Sequence, residues 1–398
     1  MKHLFLLIIL LHVLGCSATT GRTEINRISP LIKNGGYILD TEKTVRLLRV
    51  HDQFIPASTL KIITCLAALD ALGKNFYFET HLFLDQQKNL YIKGFGDPFL
   101  TSESIWQIAE KLRKRGIRQL ANIYLDDTSF TAHTPPGSEN SGNPYDAPNG
   151  ALVVNFNSMP IHISRRGIVS SGEQQTPTIP LMRKTAAGLK PGSYRFNVAS
   201  LPNKKALSLP LQYAGQLFIA QLAKADIKTL GHILKKSVPA SMSPIIVHRS
   251  TKSVEEITHL CLMYSNNYIA NQLYLRCGAN SFGFPATWDK AHTFLTRYIH
   301  STLALKKNQI HIVEGSGLSP ENKITPLALF QTLMHFKPYA YLLDKRGDIY
   351  IKSGTLHGVF CFAGYFHDRN QLRPFVILLN QTKNTRNDIL KLFRRRFF

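Results

Sequence analysis

Strand-like segments lie at both ends of the chain and constrain its fold more than any other feature. Residues 36–50 have the pattern of two strands around a polar turn. The segments "GDIYIKSGT", "VFCFAGYF" and "PFVILLN" have the pattern of three consecutive strands before a basic last helix. Helical patterns lie inside these ends, among them residues 286–299 and 325–336. The sequence therefore predicts one sheet built from both termini, with the middle of the chain inserted between them.

The middle of the chain has a different pattern of predicted secondary structure. From about residue 78, the strand-like segments "FETHLFLD", "NLYIKG" and "ANIYLDD" are accompanied by one helix, "SIWQIAEKLRKRG", and a turn-rich stretch follows. We expect an α+β fold in which residues 25–77 and 246–398 form the sheet-containing domain. Residues 78–245 would then form a large inserted α+β/β region.

The first residues have the layout of a signal peptide over residues 1–18, with a basic start and an apolar run, Leu4–Leu11, before small residues. The run is shorter than the roughly 20 residues that a membrane-spanning helix needs. The segment "VLGC" resembles a bacterial lipobox that ends at Cys16, the residue that would carry the lipid. Ordinary cleavage near Ala18 and an uncleaved anchor are the alternatives. We expect an exported protein.

The chain carries a formal net charge of +23, from 48 Lys and Arg against 25 Asp and Glu. In the cytosol this excess would suggest a nucleic-acid partner, but an exported protein meets anionic lipid and the carboxylates of the cell wall instead. We therefore predict no nucleic-acid partner. A merely solvated basic surface remains the alternative for any single cluster.

Four cysteines follow the leader, and they show neither a Cys-x-x-Cys pair nor a Cys/His cluster with zinc spacing. The cysteine pattern therefore predicts no metal site. An oxidising compartment would permit a disulfide, yet an unbridged cysteine also behaves as a small buried hydrophobe. Both readings stay open for Cys65, Cys261, Cys277 and Cys361.

The segment "FIPASTLKII" holds the only Ser-x-x-Lys of the chain, Ser58 and Lys61. A serine hydroxyl is a poor nucleophile until a base takes its proton, and residues three apart on a helix share a face. The start of a helix also favours developing negative charge. Lys61 could act as the base only if burial and a second cation disfavour its ammonium form. Alternatively, Ser58 is an ordinary helix cap.

A second cation is offered by "IYIKSGTLHG", at the end of a predicted strand. Gly354 would let a substrate backbone approach closely. The hydroxyls of Ser353 and Thr355 could hold a carboxylate that Lys352 also attracts. An ordinary turn is the alternative for this segment.

The segment "YSNN" lies between two apolar helical halves. Ser265 is a candidate proton relay, and the amide of Asn267 could hydrogen-bond a substrate peptide. A simple helix break would explain this segment by itself. The order Ser-x-x-Lys, Ser-x-Asn, Lys-Ser-Gly, however, is the signature of penicillin-binding proteins and class A β-lactamases.

The chain resembles the penicillin-binding D-alanyl-D-alanine carboxypeptidases of class C, peptidase family S13. The likeness extends over residues 35–380 and includes "KGFGDPFLT", "YDAPNGALVVNFNS", "EGSGLS" and "KSGTLHGVFCFAGY". It implies a serine β-lactamase/penicillin-binding transpeptidase-like domain, an antiparallel sheet with flanking helices, in the periplasm. The family often has aspartate where Asn266 stands and threonine where Ser353 stands, and both alternatives keep a polar side chain.

The resemblance also implies a reaction. Ser58 would attack the D-Ala-D-Ala carbonyl of a peptidoglycan stem peptide, with Lys61 as the general base and Ser265 passing the proton to the leaving amine. The backbone N–H groups of Ser58 and Thr355 would form the oxyanion hole. Asn267 would hold the peptide, and β-lactams would be trapped as acyl-serine adducts. The resemblance implies that this reaction requires no metal and no organic cofactor.

The same resemblance assigns the terminal carboxylate of the substrate to Lys352, Ser353 and Thr355, with Gly354 between them. Carboxypeptidase and crosslink-cleaving endopeptidase action both remain open. A β-lactamase or esterase and a non-catalytic wall-binding scaffold are the rival functions. A class A β-lactamase needs a deacylating glutamate, but only Glu314 and Glu321 follow Asn267, and neither is in a Glu-x-x-x-Asn pattern.

Overall fold

The structure, a computed structural model, describes residues 28–397 except 42–43, 132–133, 139–140, 204–205 and 370, and only the backbone of 396 and 397. The predicted leader and Cys16 lie outside the described residues. The helices are α1 (Lys61–Leu72), α2 (Ser102–Lys114), α3 (Pro180–Ala186), α4 (Leu209–Lys224), α5 (Val254–Tyr264), α6 (Asn267–Phe282), α7 (Trp288–Ser301), α8 (Pro326–Phe336) and α9 (Arg386–Phe397).

The strands follow the same order as the segments predicted from the sequence. They are β1 (Gly35–Asp40), β2 (Val45–Leu48), β3 (Tyr77–Leu84), β4 (Leu90–Gly94), β5 (Gln119–Leu120), β6 (Ile123–Asp126), β7 (Ser158–Ile163), β8 (Val169–Ser171), β9 (Gly192–Asn197), β10 (Lys228–Thr229), β11 (Ile233–Lys235), β12 (Ile246–Ser253), β13 (Ile310–His311), β14 (Lys323–Ile324), β15 (Asp344–Arg346), β16 (Ile349–Leu356), β17 (Val359–Asp368) and β18 (Gln371–Asn380).

The described chain divides into two compact units. The first, which we call the sheet unit, contains the residues up to 62 together with 303–311 and 320–397. The second, which we call the helical unit, contains residues 63–302 and 312–319. This division by compactness does not test the predicted insertion, whose boundaries at 78 and 245 stay a prediction.

The sheet unit is built on a six-stranded sheet in the order β15-β16-β17-β18-β1-β2, with every neighbouring pair antiparallel. The first strand, β1, pairs with the last, β18, in a register that places Tyr37 opposite Ile377. The prediction that both termini build one sheet is therefore confirmed. The long β17–β18 hairpin supplies the central strands, whose side chains are buried over most of their length.

Helices cover both faces of this sheet. On one face, Phe393 of α9 is fully buried and its ring lies 5.3 Å from that of Tyr37. On the other face, the hydroxyl of Tyr365 donates a 2.5 Å hydrogen bond to the carbonyl of Leu333 in α8. Burial of such aromatic side chains dominates core energetics, so the two helices fix the sheet between them.

The helical unit holds a five-stranded sheet in the order β11-β6-β4-β3-β12 and a three-stranded sheet in the order β8-β7-β9. Helices α2 and α4 contribute to an apolar cluster of this unit, which includes Ile105, Ile108, Leu217 and Phe218. Helices α5, α6 and α7 lie in the same unit. Gly278 of α6 lets α7 approach closely, because a β-carbon there would lie 2.5 Å from the amide nitrogen of Ala291.

Candidate active site

Ser58 and Lys61 form a hydrogen-bonded pair where α1 begins. Residues Ala57–Leu60 form a 3₁₀ turn that continues directly into the α-helix, so the predicted helix has a tighter first turn than we expected. The Nζ of Lys61 lies 2.9 Å from the Oγ of Ser58. Lys61 is fully buried, whereas Ser58 is partly open to solvent. The pair meets the distance requirement for a nucleophile and its base.

The segment before Ser58 is fixed by side-chain and backbone contacts within the sheet unit. Asn380, the last residue of β18, accepts a 2.8 Å hydrogen bond from the Ile55 amide and donates a 3.1 Å bond to the Ile55 carbonyl. Phe54 forms a two-way backbone bridge with Ile324. These contacts satisfy the backbone groups of an otherwise irregular segment and thereby position the serine.

The "KSGT" segment of β16 lies against the same turn. A β-carbon at Gly354 would lie 2.7 Å from the carbonyl oxygen of Pro56, 3.0 Å from the nitrogen of Ser58 and 3.1 Å from that of Thr59. All three neighbours are backbone atoms, which cannot move aside as a flexible side chain could. Glycine is therefore required for this close approach of strand and turn.

Strand alternation places Lys352 and Gly354 on one face of β16, and Ser353 and Thr355 on the other. Lys352 is 2% exposed, and its Nζ donates a 2.9 Å hydrogen bond to the Ser353 carbonyl. Thr355 is exposed, and Ser353 is partly exposed. The two hydroxyls thus share one accessible face, while the lysine ammonium is held on the buried side.

Ser265 and Asn267 lie at the junction of α5 and α6 in the helical unit. Ser265 ends α5 in the left-handed conformation, with φ 55° and ψ 37°. Asn266 caps α6 by accepting a 3.0 Å hydrogen bond from the Ile269 amide. Asn267 is the first residue of α6, and its Nδ2 donates to the Tyr145 carbonyl at 3.3 Å. The predicted interruption between two helices is confirmed.

The structure thus brings the predicted site residues into two groups. Each group lies within one unit. The sheet unit holds Ser58, Lys61, Lys352, Ser353, Gly354 and Thr355, and the helical unit holds Ser265 and Asn267.

Glu314 is one of the two glutamates considered for deacylation, and hydrogen bonds hold its side chain in place. Its fully buried carboxylate accepts hydrogen bonds from the Asn271 side chain at 3.0 Å, from both the amide and the hydroxyl of Ser316 at 2.7 and 2.6 Å, and from the Ser319 amide at 3.3 Å. These donors satisfy the buried carboxylate, which in turn fixes the loop around it. This geometry argues against a role as a general base.

A second buried carboxyl, Asp97, lies in the "GDP" segment of the helical unit. Its Oδ1 accepts hydrogen bonds from the Phe99 amide at 2.8 Å and the Ser250 hydroxyl at 2.9 Å. Its Oδ2 is buried without a hydrogen-bond partner among the described residues. Burial raises the pKa of Asp97 to about 6, although both hydrogen bonds oppose the shift. Burial, and secondarily the charge of Asp97, raise the pKa of the Tyr268 hydroxyl.

The four cysteines predicted to be either bridged or buried are all buried thiols in the described part of the chain. Burial raises the pKa of Cys277 and of Cys361 to about 12. A thiol with so high a pKa is a poor nucleophile and a poor metal ligand. Cys277 and Cys361 therefore act as small hydrophobic residues.

Two polar residues that contact the site, Asn380 and Arg386, were not predicted from the sequence. Asn380 lies 325 positions from Ile55, and Arg386 begins a helix whose arginines look alike in the sequence. The Nη1 of Arg386 donates to the Gly354 carbonyl at 2.7 Å and to the Thr355 hydroxyl at 2.8 Å. The only signal available was a polar residue directly after an apolar strand, which is common in proteins.

An antiparallel sheet flanked by helices, with Ser-x-x-Lys against a Lys-Ser-Gly strand, defines the class of acyl-serine enzymes that includes penicillin-binding proteins. More narrowly, the chain belongs to the D-Ala-D-Ala carboxypeptidase 3 (S13) family, whose model matches residues 32–188 and 192–341. The family resemblance and the fold class predicted from the sequence are both confirmed. The chain is accordingly a serine-type D,D-peptidase.

Comparison with known proteins agrees with this assignment. D-alanyl-D-alanine carboxypeptidase DacB of Haemophilus influenzae is 24% identical over 390 residues, which cover 82% of this chain and 80% of that protein. The crystal structure of penicillin binding protein 4 from Haemophilus influenzae has a TM-score of 0.74 at 20% identity, and covers 90% of this chain and 94% of that one.

A predatory endopeptidase of Bdellovibrio bacteriovorus, solved in complex with an immunity protein, is a more distant structural relative. Its TM-score is 0.52 at 17% identity, and the superposition covers 91% of this chain and 93% of that one. Such identities show a shared fold alone.

Proposed function

We propose that this protein hydrolyses the peptide bond after a D-alanine in peptidoglycan stem peptides, through an acyl-enzyme on Ser58. The observation that carries the proposal is the 2.9 Å contact between the Ser58 hydroxyl and the fully buried Nζ of Lys61. Burial disfavours a charged amine, so this lysine is suited to accept the serine proton. Lys352, also nearly buried in the sheet unit, is a second cation of the kind that this role requires.

In the proposed reaction, the Ser58 oxygen forms a bond to the D-alanine carbonyl carbon while its proton passes to Lys61. Collapse of the tetrahedral intermediate breaks the bond to the leaving amine, which receives a proton through Ser265. Water then adds to the acyl-ester, releases the shortened peptide and restores the serine. Backbone N–H groups of Ser58 and Thr355 would stabilise the oxyanion, each contributing about 3 to 4 kcal/mol by analogy with comparable sites.

Substrate binding is proposed for the remaining residues of the three motifs. Asn267 would hydrogen-bond the stem peptide, and the accessible hydroxyls of Ser353 and Thr355 would hold the carboxylate beside the scissile bond. Lys352 would contribute positive charge from the buried face. A β-lactam carries a similar carboxylate and would acylate Ser58, which agrees with the name penicillin binding protein given to one structural relative.

Carboxypeptidase and endopeptidase action are both compatible with this chemistry, because they differ only in the amine that leaves. The relative named D-alanyl-D-alanine carboxypeptidase supports carboxypeptidase action, and the predatory endopeptidase supports endopeptidase action. We also propose that the protein is exported to the periplasm, where peptidoglycan lies, and that Cys16 carries a lipid. Mass analysis of the mature N-terminus, with Cys16→Ser as the control, tests the lipid directly.

The central test incubates the purified mature protein, and its Ser58→Ala variant, with a mixture of pentapeptide and D,D-crosslinked muropeptides. The products are followed by mass. We expect loss of one alanine or splitting of the crosslinked species, and neither change with the variant. A folded wild-type protein that leaves both substrates intact would contradict the peptidase proposal. Rapid, Ser58-dependent turnover of a chromogenic cephalosporin in that case would favour a β-lactamase.

A further inference from the structure

Arg386, the first residue of α9, reaches the end of strand β16. Its Nη1 donates hydrogen bonds of 2.7 Å to the Gly354 carbonyl and 2.8 Å to the Thr355 hydroxyl, with a longer contact of 3.4 Å to the Cys361 carbonyl. The guanidinium carbon lies 4.5 Å from the centroid of the Phe362 ring. The side chain is thus held by hydrogen bonds in its plane and by an aromatic ring against its face.

The backbone that carries Arg386 is also fixed. The hydroxyl of Thr385 donates a 2.6 Å hydrogen bond to the Leu31 carbonyl and accepts one of 3.0 Å from Gln381. Ile389 and Phe393, on the same helix, are fully buried in the core of the sheet unit. Arg386 therefore presents its charge from a rigid position, as a residue that recognises one ligand geometry must.

The hydrogen bond from Arg386 determines which way the Thr355 hydroxyl donates its own proton. A guanidinium can only donate, so the Thr355 oxygen must accept from Arg386. The hydroxyl proton is then left to donate to a different acceptor, and Thr355 is exposed. A substrate carboxylate is an acceptor of the right kind, and charge-assisted hydrogen bonds to it are stronger than neutral ones.

Arg386 also supplies charge on the Thr355 face, which Lys352 does not. Strand alternation places the lysine on the opposite face of β16, where its Nζ binds the Ser353 carbonyl. Burial lowers the pKa of Arg386, yet an arginine remains protonated in proteins near neutral pH. The accessible face of "KSGT" therefore carries a permanent cation beside the Thr355 hydroxyl.

We propose that Arg386 is a positioning residue for the carboxylate of the leaving group. It orients the Thr355 hydroxyl and adds positive charge beside it, and so selects substrates that carry a free carboxylate next to the scissile bond. This inference rests on the D,D-peptidase function proposed above. It assigns the selection to a helix outside the three motifs.

The experiment compares two peptides, diacetyl-L-Lys-D-Ala-D-Ala and the same peptide with a C-terminal amide. Values of kcat and KM are measured for the wild type and for Arg386→Gln, Arg386→Lys and Arg395→Gln. Arg395 is exposed on the same helix, so its substitution controls for the loss of one positive charge. Circular dichroism and thermal melting establish that each variant is folded.

We expect the wild type to prefer the acid over the amide. Arg386→Gln should reduce that preference by roughly 10- to 100-fold, the range for a hydrogen bond to a charged group. The loss should fall on the acid alone, chiefly through KM. The preference of Arg386→Lys for the acid should lie between those of the wild type and Arg386→Gln, because a lysine keeps the charge without the planar geometry. Arg395→Gln should behave as the wild type does.

An equal loss of rate on both peptides would identify Arg386 as merely structural and would overturn the inference. So would an unchanged preference for the acid. If Arg386→Gln fails to fold, the inference is tested with Arg386→Lys. An unchanged preference for the acid in Arg386→Lys would also overturn the inference. Failure of the wild type to cleave either peptide through Ser58 would instead overturn the proposed function, and the inference with it.

Discussion

Gly354 lies directly against the backbone of Ser58, and a β-carbon on the glycine would come within 3.0 Å of the serine nitrogen. The nucleophile turn and strand β16 are therefore in contact through main-chain atoms. This spacing depends on the absence of a side chain, and it sets where the N–H groups of the turn and the strand face a substrate.

Gly354→Ala tests that spacing. The added methyl group would press on the carbonyl of Pro56 at 2.7 Å, so the strand or the turn must shift. We expect the rate of Ser58 acylation by a fluorescent penicillin to fall about 100-fold, because misplacement by about 1 Å has an effect of this order. Gly142→Ala is the control, since the nearest atom to its β-carbon is 3.8 Å away. Equal acylation by both variants would contradict the prediction.

The proposed role of Lys61 as the general base can be tested with two substitutions of different chemistry. Lys61→Ala removes the base, and Lys61→Arg keeps a positive charge that cannot be given up in the relevant pH range. If Lys61 takes the Ser58 proton, both variants should lose at least about 100-fold in acylation rate. The rate is measured by stopped-flow with a chromogenic β-lactam. Activity retained in Lys61→Arg would show that the residue serves only as a charge.

Asp97 should make stability depend on pH. Its pKa is raised to about 6 in the folded protein by burial, whereas an unfolded aspartate titrates near 4. The folded state therefore binds the proton more tightly, and the wild type should lose stability as the pH rises through this window. Above pH 6 the loss is complete, at about 2 to 3 kcal/mol for a shift of this size.

Asp97→Asn removes this titration. Relative to the wild type, its free energy of unfolding should rise between pH 4 and pH 7, as measured by urea denaturation. Asp52→Asn changes an exposed carboxylate that pairs with Arg49, and it should show no comparable trend. A constant difference between Asp97→Asn and the wild type across this range would show that the carboxyl is not under strain.

Glu314→Gln is expected to destabilise the fold rather than to block deacylation. The substitution replaces an acceptor oxygen by a donor among groups that already donate, leaving at least one buried group unsatisfied. We expect a loss of about 2 to 4 kcal/mol in unfolding free energy. Glu321→Gln, at an exposed site, should have little effect. If the folded Glu314→Gln protein accumulates acyl-enzyme, the deacylating role that we excluded would be restored.

The motif residues of the candidate site could be predicted from the sequence, but the distant residues that contact them could not. Ser58 and Lys61 could be paired because three positions on a helical turn share a face, and the junction at Ser265 was visible as polar residues between apolar halves. Asn380 and Arg386 escaped notice because their partners lie far away in sequence, and no local pattern marks such contacts. The 3₁₀ turn at the start of the nucleophile helix lies against β16, a distant segment, and a single segment of sequence cannot reveal such a contact.

The pairing of β1 with β18 has a consequence for the synthesis of the protein. Strand β1 spans residues 35–40 and is made more than 300 residues before its partner, which spans residues 371–380. Asn380, which fixes the segment before Ser58, belongs to that final strand. The nascent chain therefore cannot form the Asn380 contacts to the segment before Ser58 until residue 380 has been made. A message truncated before this strand would yield a polypeptide that has all three motifs but lacks both the partner strand of β1 and Asn380.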